Sequence, residues 1–125
     1  QVDDAAGKTE ASTVLEKEDT IAIYGSNEFA AKAIINANGG FSESKLGADK
    51  ILAVGFDSGA LQQDAIRKGI FVGSVTQDPI QIGYQAVKLA VEAAQGKEVK
   101  DVDTGSKWYD AKNIDSDEIK DLLYE

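Results

Sequence analysis

Four side chains in the sequence have the chemistry to bind a polyhydroxylated ligand. A carboxylate accepts hydrogen bonds from two hydroxyl groups at once, and a side-chain amide offers one acceptor and two donors. An aromatic ring can pack on the apolar C–H face of a pyranose or furanose. The chain offers these groups directly after apolar segments, at Asn27, Phe56, Asp57 and Gln77. This set suits the binding of a neutral polyol such as a monosaccharide, and it contains no group that shuttles protons near neutral pH.

Each of these four residues also has an ordinary structural explanation. Asn27 and Asp57 both precede predicted helices, so either side chain could cap or stabilise a helix start. Phe56 is of a type found more often in a core than at a ligand, and Gln77 could be a polar residue of an edge strand. The sequence leaves both interpretations open for each residue, although their recurrence at three strand ends favours binding.

The composition excludes several classes of site. The 125 residues include no Cys and no His, which removes thiol nucleophiles, disulfides and Ser-His-Asp triads. Nearly every zinc, copper or haem site is removed as well. We therefore expect no cofactor, no metal site and no enzymatic activity, although a small α/β enzyme that uses only carboxylates is a remaining alternative.

The charge of the chain argues against a nucleic-acid partner. Thirteen basic residues face 22 acidic ones, for a formal net charge of −9, and the only arginine is Arg67. Such a chain is repelled by polyanions unless a basic patch offsets the charge, and its lysines are scattered. No apolar run approaches the roughly 20 residues needed to cross a bilayer.

Three segments of the sequence are predicted to be strands. Residues 21–25 and 51–55 are continuous apolar runs rich in β-branched residues, as in a parallel sheet covered by helices. Residues 71–77 alternate more strongly, which indicates a position nearer an edge. A weaker extended segment follows at residues 102–109.

Helices are predicted between and after these strands, over residues 3–17, 28–37, 60–68, 79–95 and 115–124. The alternation predicts an α/β fold with an open, mostly parallel sheet flanked by helices and joined by right-handed crossovers. Because ligands of such sheets bind beyond the carboxyl ends of the strands, the four candidate residues should share one edge.

Several helix ends carry recognisable signals. Ser58 is placed to cap the helix of residues 60–68. Asp78 and Pro79 suit the start of the longest helix. Asp115 with Glu118 forms a capping-box-like start for the last one.

Three motifs resemble the periplasmic sugar-binding proteins of the ribose/galactose type, the substrate-binding proteins of ABC transporters. They read I-A-I-Y-G-S-N-E-F-A-A-K-A at residues 21–33, A-V-G-F-D-S at 53–58 and V-T-Q-D-P-I-Q-I-G-Y-Q-A-V-K at 75–88. Together with V-D-T-G at 102–105 they run in order over about the last hundred residues.

The resemblance implies that residues 1–125 are an incomplete carboxyl-terminal lobe of a two-lobed receptor. Such lobes close on their ligand about a hinge. The helix of residues 79–95 would normally pack on the amino-terminal lobe that is missing here. Without that lobe we expect an exposed apolar stripe that favours self-association or contact with a separate chain.

The same resemblance implies roles for the candidate residues. Asn27 is similar to the amide that holds ring hydroxyls, and Asp57 to the carboxylate that takes two hydroxyls, with Phe56 beside it. Gln77 is similar to the hinge-proximal amide that touches the sugar. Arg67 does not match the sugar-binding arginine of the family, which lies in a segment absent from this sequence.

The function implied is binding of a monosaccharide or similar small polyol outside the cell and its delivery to the membrane subunits of an ABC importer. The expected location is periplasmic or extracellular, with lipid anchoring to the cell surface as one form of it. The alternative is the effector-binding domain of a lactose-repressor-type transcriptional regulator, which shares this fold.

Overall fold

The structure, a computed structural model, describes residues 4–41 and 44–124. Residue 3, the predicted start of the first helix, lies outside these ranges. Within them the chain alternates helices and strands in the order α1 (Asp4–Leu15), β1 (Ala22–Tyr24), α2 (Glu28–Ala37), β2 (Leu52–Phe56), α3 (Ala60–Arg67), β3 (Gly73–Gln77), α4 (Pro79–Ala94), β4 (Ser106–Tyr109) and α5 (Asp117–Lys120).

The four strands form one open sheet in the order β1-β2-β3-β4. The first three strands are parallel, and β4 runs antiparallel to β3 as the edge, with Gln77 opposite Ser106. This confirms the predicted α/β fold with an open, mostly parallel sheet. The predicted extended segment 102–109 contributes a strand only in its last four residues.

Two predicted helix starts are wrong. Gly59, not Ser58, is the N-cap of α3, because the Ser58 hydroxyl is buried and donates to the carbonyl oxygen of Leu122 at 3.2 Å. The last helix begins at Asp117 after the N-cap Ser116. The Asp115 carboxylate does not cap it but pairs with Arg67 at 2.9 Å.

One face of the sheet packs against helices. The chain crosses the sheet in one direction, from β1 to β2 to β3. Because parallel connections are right-handed, α2 and α3 lie on the same side of the sheet. The fully buried residues Ile35 and Ile66 of these helices form the core with Ala53 of β2 and Tyr109 of β4. We call this the covered face; its buried strand residues are Ala53, Gly55, Ser74, Thr76 and Tyr109.

The opposite face, here called the open face, carries larger apolar side chains that remain accessible. Because strand residues alternate between faces, Tyr24, Leu52 and Trp108 all lie here, with 57%, 40% and 44% of their surface exposed. The Trp108 ring lies against Gly73, where a Cβ atom would be only 2.1 Å from Cζ2 of the indole. Tyr24 and Leu52 are thus far more exposed than Ala53 on the covered face, which is fully buried.

Helix α4 stands apart from the core. Asp78 caps it, since its Oδ1 accepts a hydrogen bond from the Gln81 amide at 2.8 Å, and Pro79 occupies the first turn. None of the residues of α4 is buried. Ile80, Tyr84 and Val87 are 71%, 62% and 67% exposed, so the predicted apolar stripe is confirmed. No helix in the described part of the chain is long and apolar enough to span a membrane.

Candidate functional site

The structure brings the sequence-predicted residues to one edge of the sheet. Asn27 follows β1, Phe56 and Asp57 end or follow β2, and Gln77 ends β3. Because these three strands are parallel neighbours, their carboxyl ends meet at the same edge.

Asn27 caps helix α2. Its Oδ1 accepts a hydrogen bond from the Ala30 amide at 2.8 Å, and its backbone is extended, as an N-cap requires. The capping interpretation is therefore confirmed. The residue is exposed, and among the described residues none accepts a hydrogen bond from its Nδ2, so this group is available to a ligand.

The Asp57 carboxylate contacts the amino end of α2. Its position before α3 in the sequence had suggested the start of α3 instead. Its Oδ2 accepts a hydrogen bond from the Glu28 amide at 3.0 Å. A carboxylate at a helix amino end is stabilised by the helix dipole. Each carboxylate oxygen can accept two hydrogen bonds, so Oδ1 and one lone pair of Oδ2 remain for ligand hydroxyls.

The backbone of Asp57 is held in an unfavourable conformation. Its φ is +76°. Among the described residues, every other residue with positive φ is a glycine. L-residues disfavour this region, and residues held there cluster at functional sites. The carboxylate is thus presented at the edge by a turn that an unconstrained chain would rarely adopt.

Three side chains from other elements hold the carbonyl oxygen of Asp57. The Tyr109 hydroxyl donates to it at 2.8 Å, the Ser74 hydroxyl at 2.9 Å and the Gln62 amide at 3.3 Å. Gln62 also donates to the carbonyl oxygen of Phe56 at 2.7 Å. Burial raises the pKa of Tyr109 to about 12, so its hydroxyl stays protonated and able to donate.

Phe56 shares the open face of the sheet with Leu52 and Val54, because these residues alternate along β2. Its side chain is half-buried, and it pairs in register with Val75 of β3. Its location at the last position of the strand is compatible with packing under a helix and with contact to a ligand, so its sugar-binding role stays a prediction.

Gln77 is exposed at the end of β3. It borders a small cavity of about 110 Å³ between the end of β3, the start of β4 and the chain after α5. The cavity is lined by Gln77, Asp78, Thr104, Gly105, Ser106, Lys107 and Leu122. Gln77 therefore borders a concave corner at the carboxyl end of β3.

A larger depression, about 360 Å³, lies at the opposite end of the sheet. Its cations are already engaged: the Lys68 ammonium sits 3.8 Å from the centre of the Phe41 ring, and Lys50 donates to the carbonyl oxygen of Ser44 at 2.6 Å. Because ligands of open α/β sheets bind at the carboxyl ends of the strands, we place the candidate site at the Asp57 edge. The described residues contain no cluster of three or more acidic side chains suited to a metal ion.

The residues that hold Asp57 were missed by sequence reasoning. Tyr109 follows Trp108 in a weakly extended segment, and nothing local indicates that its hydroxyl reaches residue 57, 52 positions away. The one available signal was the alternation along β4, which places Tyr109 on the opposite face from Trp108.

Comparisons with known proteins agree with this architecture. The sequence matches the periplasmic binding protein domain over residues 1–98. A search of curated proteins found no match. Among solved structures, a Brachyspira murdochii protein described as an ABC transporter, LacI family transcriptional regulator, is 41% identical with a TM-score of 0.83.

Two further structures are described as sugar complexes. An ABC transporter solute-binding protein from Agrobacterium vitis with bound D-fucose is 28% identical, with a TM-score of 0.83. A carbohydrate transporter solute-binding protein from Agrobacterium radiobacter in complex with D-arabinose is 25% identical, with a TM-score of 0.79.

The overlap with these structures is one-sided. The alignments cover 98%, 97% and 97% of this chain but 41%, 41% and 40% of the three other chains. The chain thus spans about two fifths of the length of its structural relatives and has the corresponding part of their fold. From the match over residues 1–98, we conclude that this chain belongs to the periplasmic binding protein domain family.

Proposed function

We propose that this chain forms one wall of a site for a monosaccharide or similar small polyol, in an extracytoplasmic receptor that delivers its ligand to an ABC importer. The observation that carries the proposal is the Asp57 carboxylate, held at the carboxyl edge of the sheet with hydrogen-bonding capacity to spare. Asn27 and Gln77 offer amide donors and acceptors at the same edge, and Phe56 an aromatic ring.

The ligand class is supported by the chemistry of the edge. Sugar hydroxyls both donate and accept, which matches a carboxylate flanked by amides better than it matches an anion or a flat apolar ligand. Two of the solved structures compared above are complexes with D-fucose and D-arabinose. With one wall of a cleft, water is not excluded from the ligand, so we expect weak binding.

The test is an NMR titration of the ¹⁵N-labelled chain with D-fucose and D-arabinose. We expect shifts at Asn27, Asp57 and Gln77 at millimolar sugar. Asp57→Asn should keep the fold, because Asn tolerates positive φ, and should weaken binding about tenfold or more, because charge-assisted hydrogen bonds are lost.

The matched control is Asp49→Asn, at the depression on the opposite end of the sheet, which should leave the affinity unchanged. Shifts confined to that depression, or an Asp57→Asn variant that binds as well as the parent, would remove Asp57 from the site.

We further propose that the chain has no catalytic activity toward its ligand. With neither Cys nor His in the sequence, proton transfer near neutral pH has no obvious carrier. Incubation of the chain with the same sugars, followed by NMR of the sugar itself, should show no product.

We infer that the apolar stripe of α4 and the open face of the sheet are contact surfaces for the amino-terminal lobe or, in its absence, for a second copy of the chain. Ile80, Tyr84 and Val87 expose more than half of their surface, and apolar patches of this kind favour association. Sedimentation velocity should show association that grows with concentration and that Tyr84→Lys weakens. A monomer at every concentration would contradict self-association.

The effector domain of a transcriptional regulator is the second candidate, since the Brachyspira murdochii relative is described in both terms. The open reading frame that contains these residues discriminates between the two. A secretion signal or lipid-attachment sequence would support transport, and a helix-turn-helix region would support regulation.

A further inference from the structure

We propose that Tyr109 and Ser74 are positioning residues for the sugar site: by holding the carbonyl oxygen of Asp57 they fix the left-handed turn that presents its carboxylate. The inference rests on the proposed function for the identity of the ligand. The turn itself can be tested without one.

The carbonyl oxygen of Asp57 is the acceptor that both hydroxyls share. A carbonyl oxygen has two lone pairs, and the hydroxyls of Tyr109 and Ser74 approach that of Asp57 at 2.8 and 2.9 Å. Both donors come from the covered face and from neighbouring strands, β4 and β3. The peptide after Asp57 therefore cannot rotate without breaking these two partly buried hydrogen bonds, in addition to the longer one from Gln62.

The backbone of Asp57 is strained. At φ +76° an aspartate is stable only if its surroundings determine the conformation. The Asp57 amide is also fixed, since it donates to the carbonyl oxygen of Val75 at 2.7 Å. With amide and carbonyl both held by β3 and β4, the Cβ atom of Asp57 has one direction left, in which its Oδ2 meets the Glu28 amide.

The side chains that donate to the turn require space beside Gly55. A Cβ atom on Gly55 would lie 2.9 Å from the Gln62 Nε2 and 3.0 Å from the Ser74 Oγ. Glycine at this position therefore lets the Ser74 hydroxyl and the Gln62 amide reach the turn. Tyr109 is fully buried, so its hydroxyl lies too deep to touch a ligand and acts on the site only through Asp57.

The experiment compares Tyr109→Phe, the double variant Ser74→Ala/Tyr109→Phe and the parent chain. The first readout is the intraresidue amide-to-Hα NOE of residue 57, which is strong for positive φ. We expect it to weaken in the double variant. The second is the dissociation constant for D-fucose, which should rise about fivefold for Tyr109→Phe, as expected for one lost hydrogen bond.

Thr20→Val is the matched control. Its hydroxyl donates to the carbonyl oxygen of Val14 at 2.9 Å, before β1 and remote from the Asp57 edge. It should lower the melting temperature by a similar amount without changing the NOE of residue 57 or the sugar affinity.

The outcomes are distinct. An unchanged NOE in the double variant overturns the positioning role, as does an unchanged affinity in a variant whose NOE has weakened. If the double variant does not fold, Tyr109→Phe alone decides by the same two readouts. If the parent chain binds neither sugar, the proposed function fails for these ligands, and the NOE still decides whether the two hydroxyls fix the turn.

Discussion

The two faces of the sheet differ in the size and polarity of the side chains that the same strands place on them. The covered face presents small or hydrogen-bonded residues, such as Ala53 and Ser74, which fit closely beneath α2 and α3. The open face presents bulky apolar residues, such as Tyr24, Leu52 and Trp108, with much of their surface exposed. A parallel sheet is normally covered on both faces, and the exposed apolar residues of the open face have the composition of a contact surface.

The largest contrast should appear between a core helix and α4. Ile66 of α3 is completely buried, whereas Val87 of α4 is 67% exposed. Ile66→Ala should lower the free energy of unfolding by about 3 kcal/mol because it leaves a cavity. Val87→Ala should change it by less than about 0.5 kcal/mol. Urea unfolding followed by circular dichroism measures both, and equal losses would show that α4 is packed in solution.

Substitution of alanine for glycine should lower the stability at one position and raise it at another. Gly55→Ala places a methyl group against Gln62 and Ser74 and should cost about 2 kcal/mol through overpacking. Gly83 lies inside α4 with nothing within 4 Å of the added atom, so Gly83→Ala should stabilise the chain by up to about 1 kcal/mol through helix propensity. Thermal melts of the two variants provide the measurement; a destabilised Gly83→Ala would mean that α4 contacts something.

Alkaline pH should lower the free energy of unfolding because Tyr109 is buried on the covered face. Its pKa is raised from 10.0 to about 12 by burial, so the native state keeps the proton that the unfolded state releases. The resulting stability is fully present below pH 10 and is lost as the pH rises toward 12, by about 1.4 kcal/mol between pH 9 and 11.

Tyr109→Phe supplies the comparison for this pH dependence, since other groups also titrate in that range. The variant should lose less stability than the parent between pH 9 and 11. Tyr84→Phe on the exposed stripe should behave as the parent does. Parallel pH curves for the parent and Tyr109→Phe would contradict the assignment.

The smallest effect is expected at the surface ion pair between Arg67 and Asp115, which are separated by 2.9 Å and whose side chains are 40% and 79% exposed. Asp115→Ala should cost less than about 0.5 kcal/mol and the cost should shrink in salt. A larger loss in chemical denaturation would mean that the tail before α5 is held more firmly than its exposure indicates.

The local signals of the sequence located most elements of the fold. Helix α2 begins and ends where the pattern predicted, and α4 begins with the predicted Asp78 cap. The caps of α3 and α5 were predicted wrongly because Ser58 and Asp115 take partners distant in sequence, Leu122 and Arg67. Local capping preference was overridden by tertiary contacts that no short window contains.

The candidate site shows the same division. Strand ends sufficed to place Asn27, Asp57 and Gln77 on one edge, because parallel strands share a direction. The turn at Asp57 was not predictable from the sequence. A glycine would have indicated a residue with positive φ, but an aspartate at this position does not. Its support by Tyr109 depends on strand order across the sheet, which a single sequence does not specify.

The position of Trp108 on the open face has a practical consequence. It is the only tryptophan in the sequence, and its indole is 44% exposed, with Nε1 donating to Asp110 at 3.2 Å. Its emission spectrum and its quenching by acrylamide therefore report on this one side of the molecule. Any polypeptide that binds to the open face should shift the fluorescence to the blue, which gives a label-free optical assay for association at this face.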